Sequence, residues 1–252
     1  MARRLERKTN KMENDLTLLL ATANLIEEDT AKKIRDNLVK VTENKYPIIS
    51  VSQKPINFGT NICVGDIGVN KYSEYKQILI GAMEVKTKYV AVVDDDALYC
   101  PEHFLNRPPD GLFLYETNYW FAQDEIDYFW RVANVESRGG MWGCVAESEN
   151  LLNNLTKRYE MYPVDPWANG HKTRDRLMWG EPGIHDEQFG IVSKYMKVEA
   201  KTPNVIFIHS KSMGYNQLRK FYRRYGYPTA ENKRDRIEPF GTMEDLRYNY
   251  WK

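Results

Sequence analysis

Two hydrophobic rhythms run through the first hundred residues. Leu16 to Ala21 (LTLLLA) is an almost unbroken apolar run, too short for a buried helix and suited to a strand covered on both faces. Between Glu27 and Glu43 the apolar positions Ala31, Ile34, Leu38 and Val41 recur at intervals of three and four, which lines up one face of a helix. Pro47 then introduces a second strand, Ile48 to Val51. A polar, glycine-bearing loop from Gln53 to Lys71 leads into a helix over Ser73 to Lys86 that buries Ile78, Ala82 and Val85, and then into the strand Tyr89 to Val93. This alternation predicts an α/β fold with a mostly parallel central sheet flanked by helices.

The second half carries the pattern less regularly. Gly111 to Trp120 reads as a strand, Arg138 to Ala146 (RGGMWGCVA) as a glycine-rich turn and strand, and Ser148 to Tyr159 as a helix burying Leu151, Leu152, Leu155 and Tyr159. Beyond Pro163 come a long polar loop, the short element HDEQFGIVSKY, and the strand VIFIH from Val205 to His209. The chain therefore divides into a flexible basic arm (1–14), one main domain (15–214) and a basic, aromatic extension (215–252) expected to pack on or near the site. There is no internal repeat and no low-complexity tract.

Composition narrows the class. With 42% hydrophobic and 28% charged residues the chain is globular, and a net charge of +1 argues against a uniformly basic nucleic-acid binder. Cys63, Cys100 and Cys144 lie far apart without a C-x-x-C pair, so neither a disulfide framework nor a cysteine zinc site is indicated, and a reducing compartment is expected. The amino terminus lacks the apolar region of a secretory signal, and no apolar run is long enough to span a bilayer, so the expectation is a soluble, cytoplasmic protein.

Against this background one segment stands out. Asp94, Asp95 and Asp96 follow directly on the apolar strand Tyr89 to Val93. Three adjacent carboxylates repel one another and call for a cation, and an oxygen-only cluster suits a divalent ion that also carries phosphate. Ligands of open α/β sheets sit beyond the carboxyl ends of the strands, where this cluster falls. The plainer alternative is that one aspartate caps a helix beginning near Pro101 and Glu102 while the others are solvated.

The order of strand, helix, strand, helix, strand and D-x-D, then GGMWG, HDEQF and a late histidine, resembles the nucleotide-sugar glycosyltransferases of the GT-A fold over roughly residues 16–214. The resemblance implies a Rossmann-like GT-A domain and transfer of a sugar from a nucleoside diphosphate sugar, a UDP-sugar first, to an acceptor hydroxyl. It implies Asp96 as a ligand of Mn2+ or Mg2+, Asp94 toward the ribose or a metal-bound water, and Asp95 beside them. His209 is implied as a further ligand, which favours manganese; its alternative is a strand-end histidine bonded to a backbone carbonyl. Thr22, Ala23 and Asn24 match the family's nucleobase position. Gly140, Met141 and Trp142 match its sugar-side turn, although a tight turn around a core tryptophan reads equally well. An inverting transferase needs a carboxylate to take the acceptor's proton, and the matching element gives Asp186 first and Glu187 second. Here the chain departs from the family, because His185 stands where many members carry an acid.

From Gln217 to Arg236 the chain interleaves Arg219, Lys220, Arg223 and Arg224 with Phe221, Tyr222, Tyr225 and Tyr227. Cations for phosphates and flat rings for bases suit single-stranded or flipped nucleic acid, while a solvated basic face is the alternative. The resemblance extends to base-J and phage enzymes that glucosylate hydroxymethylated bases, which makes DNA one expected acceptor; a glycan, a lipid-linked sugar or a protein is the other. Sugar nucleotidyltransferases share the architecture but need a glycine-rich loop after the first strand, where this chain reads LLLATANLIEED. A noncatalytic nucleic-acid-binding protein is the third class, and it leaves the acidic cluster without a role.

Overall fold

The structure is a computed structural model and describes residues 15–131, 140–165, 179–208 and 229–251. The chain begins with β1 (Leu16–Thr22), α1 (Glu28–Val41), β2 (Ile48–Ser52), β3 (Thr60–Cys63), α2 (Lys71–Ala82), β4 (Tyr89–Val93) and β5 (Ala97–Leu98). It continues through β6 (Leu112–Glu116), β7 (Tyr119–Gln123), β8 (Phe129–Trp130), β9 (Cys144–Glu147), α3 (Ser148–Met161), β10 (Lys194–Val198) and β11 (Asn204–Ile208). The described part closes with β12 (Lys233–Arg234), the small hairpin β13 (Arg236–Ile237) and β14 (Gly241–Thr242), and α4 (Met243–Leu246).

The central sheet has seven strands in the order β10, β6, β9, β4, β1, β2, β3. All neighbours are parallel except β9, which runs antiparallel to both β4 and β6. The expected α/β class, with a mostly parallel sheet and helices on it, is what the chain forms.

β1 and β4 are buried along their whole length because both faces are covered. Leu18, Leu20, Ala91 and Val93 pack on one side with Leu38 of α1, while Leu19, Val90 and Val92 meet Tyr75, Ile78 and Ala82 of α2 and Leu151 and Leu155 of α3. Each such side chain contributes about 1.5–3 kcal/mol on burial, so these two strands fix the platform on which the loops after them stand. Gly81 permits the close seat of α2, since a Cβ there would lie 2.2 Å from Leu19 Cδ1.

Three departures from the sequence reading have physical causes. Gly111 to Trp120 is not one strand: β6 belongs to the central sheet and β7 to a second sheet in the order β12, β8, β7, β11, β5. At the switch the buried Glu116 carboxylate accepts the N–H groups of Thr117 (2.9 Å), Asn118 (2.8 Å) and Ala200 (3.0 Å), which satisfies the backbone where it leaves the ladder. The second departure is β3, which forms inside the segment read as a loop. Its Asn61 side chain bonds Ser50 Oγ and Ser52 Oγ at 2.9 Å each, so polar contacts rather than an apolar run hold this edge. Third, α2 starts two residues early, at Lys71, because Asn70 and Ser73 close a reciprocal capping box.

No helix among the described residues is long and apolar enough to cross a membrane. The basic arm, His209 and the arginines Arg219, Arg223 and Arg224 lie outside the described residues.

Candidate active site

A cavity of about 780 Å³ opens beyond the carboxyl ends of β1 and β4. Its wall combines the Thr22–Ala23 turn after β1, the amino end of α2 with Lys71 and Glu74, the aspartates after β4, the Gly140–Trp142 turn, and Glu181. Sheet topology thus gathers segments more than 150 positions apart at the place where open α/β sheets bind ligands.

The three aspartates are not equivalent. Asp95 is buried, and its Oδ2 accepts the Thr22 hydroxyl at 2.5 Å. Asp94 and Asp96 are half-buried in the cavity wall. Burial, and then the nearby charges of Asp96, Glu74 and Asp95, push the Asp94 carboxyl well above the usual carboxylate range. The loop itself is stitched down by Tyr99, whose hydroxyl accepts the Asp94 N–H at 2.9 Å and donates to the Trp142 carbonyl at 2.9 Å. That phenol ties the acidic turn to the glycine-bearing turn. The helix-capping alternative does not hold, because the short 3₁₀ turn Pro101–Leu105 has no side-chain cap.

Among the described residues five carboxylates, Glu74, Asp94, Asp95, Asp96 and Glu181, line the cavity against one ammonium, that of Lys71. Lys71 Nζ lies 2.7 Å from Glu74 Oε2. Burial lowers its pKa, but Glu74, Glu181 and Asp94 outweigh that and hold it up at about 12. Among the described residues no group of three or more His, Cys, Asp or Glu side chains forms a complete protein cage for a metal. The donor set nonetheless fits a hard divalent ion, which takes one or two carboxylates and completes its shell with phosphate and water. Half-buried in the wall, Asp94 and Asp96 are the carboxylates that could hold such an ion.

The structure divides the remaining expected residues. Thr22 and Ala23 line the cavity, and buried Gln77 supports them by donating to the Thr22 carbonyl at 2.7 Å. Asn24 does not line it: with φ of 54° its side chain turns to the neighbouring loop and accepts the N–H groups of Gln53 (2.9 Å) and Lys54 (2.8 Å). Gly140, Met141 and Trp142 are in place. A Cβ on Gly140 would sit 2.3 Å from Trp142 Nε1, so glycine lets the indole approach the backbone, and the Tyr119 ring stands edge-on to the indole with ring centres 4.6 Å apart. Met141 is buried, while Trp142, which the plainer reading placed in the core, is half-buried at the wall.

Asp186 requires a correction. Its side chain is 4% exposed and is absent from the cavity wall. Its oxygens accept from Arg158 Nη2 at 2.6 Å, Asn154 Nδ2 at 2.8 Å, the Gly183 N–H at 2.5 Å and the Ser193 hydroxyl. A carboxylate so engaged is a strut, not a proton acceptor for a ligand. Glu187 is exposed on the 3₁₀ turn Glu187–Phe189, also away from the cavity. Glu181 is the carboxylate that this segment does present, and sequence reasoning missed it. Its signal was an acid flanked by Gly180, Pro182 and Gly183, a composition that fixes a turn.

No protein-family profile matches the chain, and no curated protein is similar to it in sequence. Solved structures show distant likenesses to it. A glycosyltransferase involved in glycosylation of the major capsid of PBCV-1 is 13% identical, with a TM-score of 0.41, over 74% of this chain and 82% of that one. The mannosyltransferase PcManGT from Pyrobaculum calidifontis, in complex with GDP-Man and Mn2+, is 11% identical, with a TM-score of 0.43, over 84% of this chain and 61% of that one. The bifunctional IspDF from Campylobacter jejuni is 11% identical, with a TM-score of 0.39, over 74% of this chain and 50% of that one. Likenesses at this level assign neither a family nor an activity.

Proposed function

We propose that this protein is a metal-dependent glycosyltransferase of the GT-A type that moves a sugar from a nucleoside diphosphate sugar, a UDP-sugar first, to an acceptor hydroxyl. The observation that carries the reading is the pairing of half-buried Asp94 and Asp96 with a cavity of about 780 Å³ at the carboxyl ends of the two central strands. Burial, and then its acidic neighbours, disfavour the Asp94 anion; a divalent cation favours it, and a diphosphate is the ligand such a cation shares. A bound Mn2+ or Mg2+ supplies Lewis-acid stabilisation of the charge that develops on the departing diphosphate.

The chain's own groups complete the donor site. Thr22 and Ala23 present the end of β1 to the nucleobase, with Gln77 holding their backbone. Trp142 offers an indole face to the sugar, and Lys71 offers a cation to the diphosphate. The turn after β1 contains no glycine, which weighs against a nucleotidyltransferase that grips a triphosphate there.

For the acceptor, the reading extends to a 5-hydroxymethyl base in DNA. Support comes from the second sheet, where Lys233 and Arg234 are exposed and Lys233 lies 4.3 Å from the ring centre of half-buried Tyr128. Lys233 and Arg234 follow closely on the basic segment that holds Arg219, Arg223 and Arg224. A glycan, a lipid-linked sugar or a protein is the competing acceptor.

The test is incubation with UDP-glucose, UDP-N-acetylglucosamine and GDP-mannose in MnCl2, with and without 5-hydroxymethylated DNA. Nucleoside diphosphate release is expected from at least one donor, stimulated by the modified DNA. Release without DNA stimulation removes the DNA acceptor alone, and no release from any donor removes the transferase reading.

A further inference from the structure

We infer that Glu181 is the catalytic base, the carboxylate that takes the proton from the acceptor hydroxyl; the inference rests on the transferase reading above and replaces Asp186 in that role. Of the carboxylates on the segment that follows residue 178, Glu181 alone lines the cavity that also holds Asp94 and Asp96. The other cavity acids have prior commitments. Asp95 accepts the Thr22 hydroxyl, Glu74 is ion-paired to Lys71, and Asp94 and Asp96 are placed to hold the cation. Glu181 comes from a separate part of the fold, with its side chain 21% exposed against 4% for Asp186.

The turn that carries Glu181 is clamped on both sides. Trp179, before it, is 1% exposed and packs edge-on against Tyr72 at 4.9 Å. The Gly180 carbonyl accepts Arg158 Nη1 at 2.7 Å, and the Pro182 carbonyl accepts the Tyr115 hydroxyl at 2.7 Å. The Glu181 carbonyl itself accepts the Ile184 and His185 N–H groups at 3.1 and 3.0 Å. Arg158 therefore does two jobs through one guanidinium: it pulls Asp186 into the core and fixes the peptide just before Glu181. A base held on so rigid a turn needs little reorganisation to meet a hydroxyl.

His185 sits against this carboxylate, its Nε2 3.8 Å from Glu181 Oε2. The ring fits because residue 180 is glycine, where a Cβ would lie 2.2 Å from His185 Cδ2. His185, which departs from the acidic pattern of the family, is thus a positioning residue beside the base.

The step balances as a single displacement. The acceptor oxygen forms its bond to the anomeric carbon while the bond from that carbon to the phosphate oxygen breaks, and the leaving diphosphate keeps that electron pair. The acceptor's proton moves to Glu181.

The test measures nucleoside diphosphate release from the same three sugar nucleotides in MnCl2, with water as acceptor, for wild type, Glu181→Gln, Glu181→Asp and His185→Gln. UDP binding is measured in parallel by calorimetry. Glu181→Gln is expected to lose about 100-fold or more in kcat, with the donor KM and UDP affinity within about threefold of wild type. Glu181→Asp should recover part of the loss. Turnover by Glu181→Gln within about threefold of wild type overturns the assignment and leaves the transferase reading standing. Loss of UDP binding together with turnover also overturns it, since that marks a donor-binding or folding role. A wild-type protein that turns over none of the donors contradicts the transferase reading and this inference with it.

Discussion

Arg158 and Asp186 form an ion pair at 2.6 Å in which neither side chain is more than 4% exposed. The guanidinium is further enclosed by Phe189, whose ring centre lies 4.7 Å from Cζ. Breaking a buried pair strands the surviving charge, at a cost of about 3–5 kcal/mol. Arg158→Met is therefore expected to lower unfolding stability by that amount in urea titration, and Asp186→Asn by somewhat less because its amide retains partners. A change below about 0.5 kcal/mol in both variants contradicts the strut.

His103 makes the fold sensitive to acid. The ring is fully buried between Tyr99, at 5.2 Å, and Phe104, at 5.0 Å, and neither nitrogen has a hydrogen-bond partner among the described residues. Burial lowers its pKa from 6.5 to about 4. The folded state therefore refuses a proton that the unfolded state accepts. Stability is full above pH 6.5 and falls as pH drops toward 4, by about 3 kcal/mol from this group. His103→Phe should remove that part of the slope, visible as a smaller difference between unfolding at pH 7 and pH 4.5. An unchanged slope contradicts it.

Among the described residues Lys71 is the one ammonium lining the cavity with the five carboxylates, and replacing it separates two electrostatic effects. Lys71→Met takes a positive charge from beside Asp94 and from the diphosphate position. Mn2+ alone should then bind about 10-fold more tightly and UDP with Mn2+ about 10-fold more weakly, each worth about 1.4 kcal/mol. Calorimetry reads both. Movement of both affinities in the same direction contradicts a cation shared between the acids and the donor.

The central platform was legible because Leu16 to Ala21 and Tyr89 to Val93 are covered on both faces, so their sequences are apolar without alternation. The aspartates were legible for a related reason: charge directly after such a run has to emerge at a strand end. What the pattern did not carry is direction. Nothing in HDEQF says that Asp186 turns inward, because its partner Arg158 lies 28 positions earlier and reads as an ordinary helix-surface arginine. Glu116 falls inside the run Gly111 to Trp120 that reads as one strand, yet its carboxylate turns the chain from one sheet into the other. Asn24 was read from its place after β1, but a positive φ swings it toward Gln53 and Lys54. The strand β3 was hidden because its inner contacts are made by Asn61 and two serines.

The account turns on Asp94 and Asp96 gripping a diphosphate through a divalent cation. Isothermal titration of UDP into wild type, Asp94→Asn and Asp96→Asn, each with MnCl2 and then with EDTA, tests it most directly. Wild type is expected to bind UDP only when manganese is present, and Asp96→Asn to lose at least about 30-fold of that affinity, or about 2 kcal/mol. Equal UDP affinity in EDTA, or in both aspartate variants, contradicts the account.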